Sequence, residues 1–164
     1  MSYVMLYELF PDLAMKETRT ITVFTNNKYE LPSGDYGLIE MYCNDEDCDC
    51  RRVFLNVISS ATNDSFAVIA YGWESMSYYA EWYFGYKTDI TKLRGPDQRT
   101  VMSLKGPCLN DASPQSQFAP VLLKMVNDLV LTDRLYVDRL KRHYTLFRAK
   151  VDENYRNYQN YRSK

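Results

Sequence analysis

The sequence predicts an α+β fold: an antiparallel β-meander of three to five strands packed against helices and followed by a C-terminal helical pair. Three observations predict it. Residues 38–42, 53–58 and 66–73 are short apolar segments rich in β-branched, aromatic and aliphatic side chains, set in series with polar turns between them. Beyond residue 117 the apolar positions recur at steps of three and four, which is a helical period. The chain of 164 residues, 46% hydrophobic and 25% charged, is the size of one ordinary domain, with enough core to fold without disulfides. Residues 1–153 are therefore expected to form a single α+β domain, and residues 154–164 a polar, tyrosine-rich tail.

Taken in order, residues 1–14 place Val4, Leu6, Phe10, Leu13 and Ala14 around Pro11, which suits an extended or short helical arm laid on the domain. Residues 18–24 read as a strand because four β-branched residues run from Thr20 to Val23. Pro32-Ser33-Gly34-Asp35-Tyr36-Gly37 reads as a turn leading into the first cysteine-bearing strand. Residues 66–73 are almost continuously apolar, as in a central strand covered on both faces. Residues 74–84 read as a helix that crowds Tyr78, Tyr79, Trp82, Tyr83 and Tyr86 on one side. Such a stripe belongs to a core or a subunit interface before it belongs to a carbohydrate or peptide site. Six large aromatics in so short a span predict a homodimer formed through this helix.

Residues 88–111 contain Gly95-Pro96 and Gly106-Pro107 and little periodicity, so they read as a connection with at most a short strand at 101–104. Ser113-Pro114 offers a helix start, but Pro120 would break a helix already under way, which puts the start of the first C-terminal helix at Pro120. Phe118, Val121, Leu122, Met125 and Leu129 form its buried face. A second helix opens at Thr132-Asp133 and aligns Tyr136, Leu140, His143 and Phe147. Tyrosines spaced by three make 154–162 either an extension of that helix or a frayed tail.

Functional interest concentrates in the tip between the first two strands of the meander. Cys43-Asn44-Asp45-Glu46-Asp47-Cys48-Asp49-Cys50 holds three of the four cysteines. Zinc needs several thiolates about 2.3 Å from one point, and a turn joining two strand ends gathers them. Cys43, Cys48 and Cys50 are thus expected to hold a structural zinc with one further ligand. His143 is preferred to Cys108 for that position, because a lone imidazole beside an apolar stripe must satisfy its polar nitrogens. The competing reading is a thiol redox or metal-handling protein in which Cys48 and Cys50 react. Reduced cysteines without a partner are a third reading, disfavoured because Cys is usually buried as a small hydrophobe whereas this loop is acidic. Asp45, Asp47 and Asp49 imitate the start of a calcium loop, but Cys50 stands where that loop needs glycine and Asn56 where it needs glutamate.

Composition narrows the function classes. The net charge of −1 gives no general attraction to nucleic acid or to a membrane surface. The charge is unevenly placed: residues 133–164 carry nine Lys or Arg against four Asp or Glu, so the acidic tip is expected beside the basic helix. Tyr and Arg interleaved near the C-terminus can stack on single-stranded nucleic acid, but the segment is short and its charge local. Glu8, Asp12 and Glu17 fall where a secretory signal would be apolar, and no apolar run approaches a membrane span. A cytoplasmic protein with reduced cysteines is expected, which favours metal over disulfides. One histidine and the absence of hydrolase, zincin or dinucleotide motifs leave enzyme readings unsupported. A nucleophile pair of Cys108 with His143 lacks any local motif. The expectation is an intracellular zinc-stabilised domain acting as an interaction or binding module for an unidentified protein partner.

Overall fold

A computed structural model describes residues 2–162. Side-chain alternation organises its sheet. In β3 (Gly34–Cys43) Tyr36, Leu38, Glu40 and Tyr42 are buried on one face, and in β4 (Arg52–Ser59) Val53, Leu55 and Val57 match them. β5 (Ser65–Gly72) buries Ala67, Val68, Ile69 and Ala70 in succession, as expected of a strand covered on both sides. The three pair antiparallel in series, with Leu38 opposite Val57 and Leu55 opposite Ile69. This is the predicted meander, and β6 (Cys108–Leu109) extends it beyond β5.

The other edge of β3 carries two short strands end to end. β1 (Tyr3–Met5) pairs with Met41, Tyr42 and Cys43, and β2 (Arg19–Val23) pairs with Gly34 through Leu38. Ile39 and Glu40 fall in the gap between them. Two short helices, α1 (Leu6–Leu9) and α2 (Pro11–Glu17), carry the chain from β1 to β2 past that gap. Pro11 separates them, since it suits the first turn of a helix and not its interior.

α3 (Met76–Phe84) starts at Ser75, whose hydroxyl accepts from Tyr78 N at 3.1 Å, and ends at Gly85 with φ 75°. After a 3-10 turn at Ile90–Lys92 comes α4 (Gly95–Lys105). Residues 101–104, read as a short strand, therefore belong to a helix. Pro96 and Asp97 in the first turn favour helix there, and Val101 packs with Tyr79 and Ala80 in a small second core. α5 (Ala119–Leu129) holds Pro120 in its first turn, as expected.

α6 (Arg134–Arg162) is 29 residues long, roughly 43 Å at 1.5 Å per residue. It lays Tyr136, Leu140, His143, Tyr144, Phe147 and Val151 against the sheet. Residues 154–162 are helical and continue it, while residues 163 and 164 of the expected tail lie outside the described residues. Among the described residues no helix is long and apolar enough to cross a membrane.

Candidate metal centre

Cys43 is the last residue of β3, and Cys48 and Cys50 lie in the tip that leads to β4. Asp47 (φ 53°) and Arg51 (φ 46°) adopt left-handed backbone, which folds the tip back over the end of β3. The sulfurs of Cys43, Cys48 and Cys50 consequently lie within 4.8 Å of one another. Sulfurs bound at about 2.3 Å to one tetrahedral zinc stand roughly 3.8 Å apart, so closing the group takes side-chain shifts of about 1 Å or less.

The tip is held by its main chain. Arg148 Nη1 donates to the carbonyls of Cys43 (3.0 Å) and Asp45 (2.9 Å). Tyr144 Oη donates to Cys48 O and accepts from Arg51 N, both at 3.3 Å. From α3, Tyr78 donates to Asp49 O and Tyr79 to Arg51 O, the latter at 2.8 Å. The Tyr79 ring reaches that carbonyl across Gly72, where a Cβ would stand 2.2 Å from its hydroxyl. The basic helix thus meets the acidic tip, chiefly through carbonyls.

Burial differs among the sulfurs' owners. Cys43 and Cys50 are buried, whereas Cys48 is half-buried and walls an open cleft of about 580 Å³. Trp73, Lys141 and Arg148 line the same cleft with Asp47, Glu74 and Asp152. A hydrogen bond with Cys50, with burial adding to it, holds the Cys43 thiol far above the usual thiol range. Burial, then the neighbouring Cys43, raises Cys48. Burial, then Cys50, does the same to Tyr144. Negative charge is disfavoured at Cys43 and Cys48 as they stand, and a divalent cation at the centre of the cluster would reverse that by stabilising thiolates. Arg51 bonds Asp49 through two nitrogens, both at 2.9 Å, and Glu74 at 3.3 Å.

His143 is not brought to this group. Its Nδ1 lies 2.7 Å from Glu40 Oε2 and its Nε2 3.2 Å from Glu17 Oε2, inside a fully buried ring environment. The need of a buried imidazole for polar partners is real, but two carboxylates meet it, one from β3 and one from α2. Cys108 is also apart from the group, with its thiol 3.4 Å from Ser103 O. Among the described residues, the three tip cysteines alone make a cluster of this kind.

The sequence does not connect Tyr78, Tyr79, Tyr144 or Arg148 with the cysteine tip. For Tyr144 and Arg148 a signal existed, because each lies one residue after a position of the α6 apolar stripe. Comparison with protein families, curated proteins and solved structures gave no match.

Proposed function

We propose that the chain is a small binding module stabilised by one zinc ion held by Cys43, Cys48 and Cys50. The observation that carries the reading is the approach of three sulfurs on a tip whose main chain is pinned from two helices. Thiolates are soft donors, which favours zinc over calcium or magnesium. Asp45 does not stand within 4.8 Å of all three sulfurs; its carboxylate, which accepts from Ser2 N at 3.2 Å and interacts with the Cys43 thiol, would have to shift to supply the fourth ligand. His143 is left to its carboxylates. The thiols must be reduced for this role, which fits a reducing, intracellular compartment.

The binding surface in this reading is the cleft beside Cys48. Charges of both signs around Trp73 suit a polar protein segment carrying both charges rather than an apolar ligand. Zinc would act by fixing the tip that forms one wall of that cleft. A second reading, thiol exchange, is favoured by the position of Cys48 on the cleft wall beside two buried thiols. It is weakened because exchange requires a thiolate, and the Cys43 and Cys48 thiols are raised.

Elemental analysis together with alkylation tests the two. Stoichiometric zinc, with thiols protected until a chelator is added, supports the module. Metal-free protein with a reversible disulfide between tip cysteines supports thiol exchange.

A further inference from the structure

The gap in the β3 edge opens into a cavity of about 310 Å³, separate from the cysteine cluster, and nothing concerning it rests on the zinc reading. Leu6 and Ala14 line it from α1 and α2, and Ile39 and Ile58 from the sheet. Three side chains with polar atoms line it: Tyr7, Thr18 and Glu40. Thr18 is already engaged, donating to Ala14 O at 2.6 Å. Glu40 is not fully engaged. It is 3% exposed, and both of its hydrogen bonds, from Tyr42 Oη and His143 Nδ1 at 2.7 Å each, fall on Oε2. Among the described residues no hydrogen bond is made to Oε1, and Glu40 lines the cavity.

We infer that this cavity is a binding site for a small apolar molecule ending in a hydrogen-bond donor, an amine or an alcohol, which Glu40 Oε1 receives. Oε1 is not closed to solvent, so water reaches it in the cavity, and a ligand N–H or O–H takes the place of that water while its apolar body fills the space beside Leu6 and Ile39. Leu6, Ala14, Ile39 and Ile58 supply apolar contact, and the half-exposed Tyr7 adds a phenol to the lining. The volume lies at the small end of the range for small-molecule sites, about 300–1,000 Å³, which limits the occupant to one ring or a short chain. Its charge need not be positive, because His143 and Arg142 already stand beside the Glu40 and Glu17 carboxylates. Met15, 77% exposed, lies at the rim, where a flexible side chain can adapt to the ligand body. The hydroxyl of Tyr136, within electrostatic reach of Glu40, is buried without a hydrogen-bond partner in this part of the core.

The test is a titration of the whole chain with benzylamine, benzyl alcohol, toluene and benzoate, followed by backbone and methyl NMR. Benzylamine and benzyl alcohol are expected to bind about tenfold or more tighter than toluene, and benzoate not to bind. Shifts should centre on Leu6, Ala14, Ile39 and Ile58. Glu40→Gln should erase the preference for donors over toluene. Glu40 also ties Tyr42 and His143, so that variant risks misfolding. Ile58→Phe, which fills the cavity from the sheet and leaves Glu40's bonds alone, should abolish binding of all four probes. Equal binding of benzoate and benzylamine, shifts elsewhere, unchanged binding in Ile58→Phe, or no binding of either donor would overturn the assignment.

Discussion

The Arg148 guanidinium, on α6, donates to the carbonyl of Cys43, the residue that ends β3 and carries the first sulfur of the cluster, at 3.0 Å. The same nitrogen serves Asp45 O at 2.9 Å, and Asp152 one turn on accepts from the other. A single side chain, 8% exposed, therefore ties the longest helix to the tip.

Arg148→Met keeps the apolar stem and removes the donors. It takes one donor from each of two carbonyls, Asp45 O keeping its bond from Cys48 N at 3.4 Å, at a cost of about 1–3 kcal/mol. Urea unfolding should show that loss, and a colorimetric chelator should strip zinc faster than from the wild type. Unchanged stability and unchanged metal release would mean the tip does not depend on this contact.

Gly72→Ala places a methyl where the Tyr79 ring now lies, with a Cβ 2.4 Å from Cζ and 2.2 Å from Oη. The ring must move and give up its bond to Arg51 O. A destabilisation of about 2–3 kcal/mol is expected, against roughly 1 kcal/mol for Tyr79→Phe, which loses only the hydroxyl's bonds to Arg51 O and from Glu74 N. Adding Tyr79→Phe to Gly72→Ala should recover little stability, because the ring carbon still clashes. Full recovery would show that the hydroxyl, not the ring, is what glycine accommodates.

The pH response should change sign with metal. In the metal-free protein Cys43 and Cys48 hold their protons more tightly folded than unfolded. Their contribution is complete below the ordinary thiol value of about 8.5 and is lost as the pH rises through the folded-state values. With zinc bound, protons compete with the metal, and stability falls as the pH is lowered. Unfolding midpoints measured from about pH 6 to about pH 10, with and without chelator, should diverge in these two directions. The same slope in both forms would contradict thiolate ligation.

The aromatic helix spends much of its stripe within the chain: Tyr79 is buried, Tyr78 bonds Asp49 O, and Trp82 packs on the core. Tyr83 and Tyr86 remain 51% and 66% exposed. A homodimer through this helix would use those two rings. Sedimentation velocity is expected to show weak self-association that Tyr83→Ser with Tyr86→Ser removes. A wild-type chain that stays monomeric at about 100 μM, well above the micromolar range of specific complexes, would end the dimer reading.

The meander was legible because period-two burial and turn chemistry are local, as in Leu38, Glu40 and Tyr42 of β3. The α6 stripe was legible for the same reason. The helix over 101–104 was not, because its single buried residue, Val101, takes its meaning from Tyr79 across the small core. At the site, the three cysteines were visible from spacing alone. The partners of His143 were not, since Glu17 and Glu40 stand 126 and 103 residues away from it in sequence. Nor was the cradle of Tyr78, Tyr79, Tyr144 and Arg148, which bonds main-chain carbonyls and so leaves no pattern of paired side-chain types.

The most direct measurement is zinc per chain in the purified wild type and in Cys43→Ser, Cys48→Ser, Cys50→Ser and His143→Gln. The account predicts about one zinc in the wild type, loss of tight binding in each cysteine variant, and zinc retained in His143→Gln at whatever stability that variant keeps. A wild-type protein that takes up no zinc when supplied with it under reducing conditions would contradict the account.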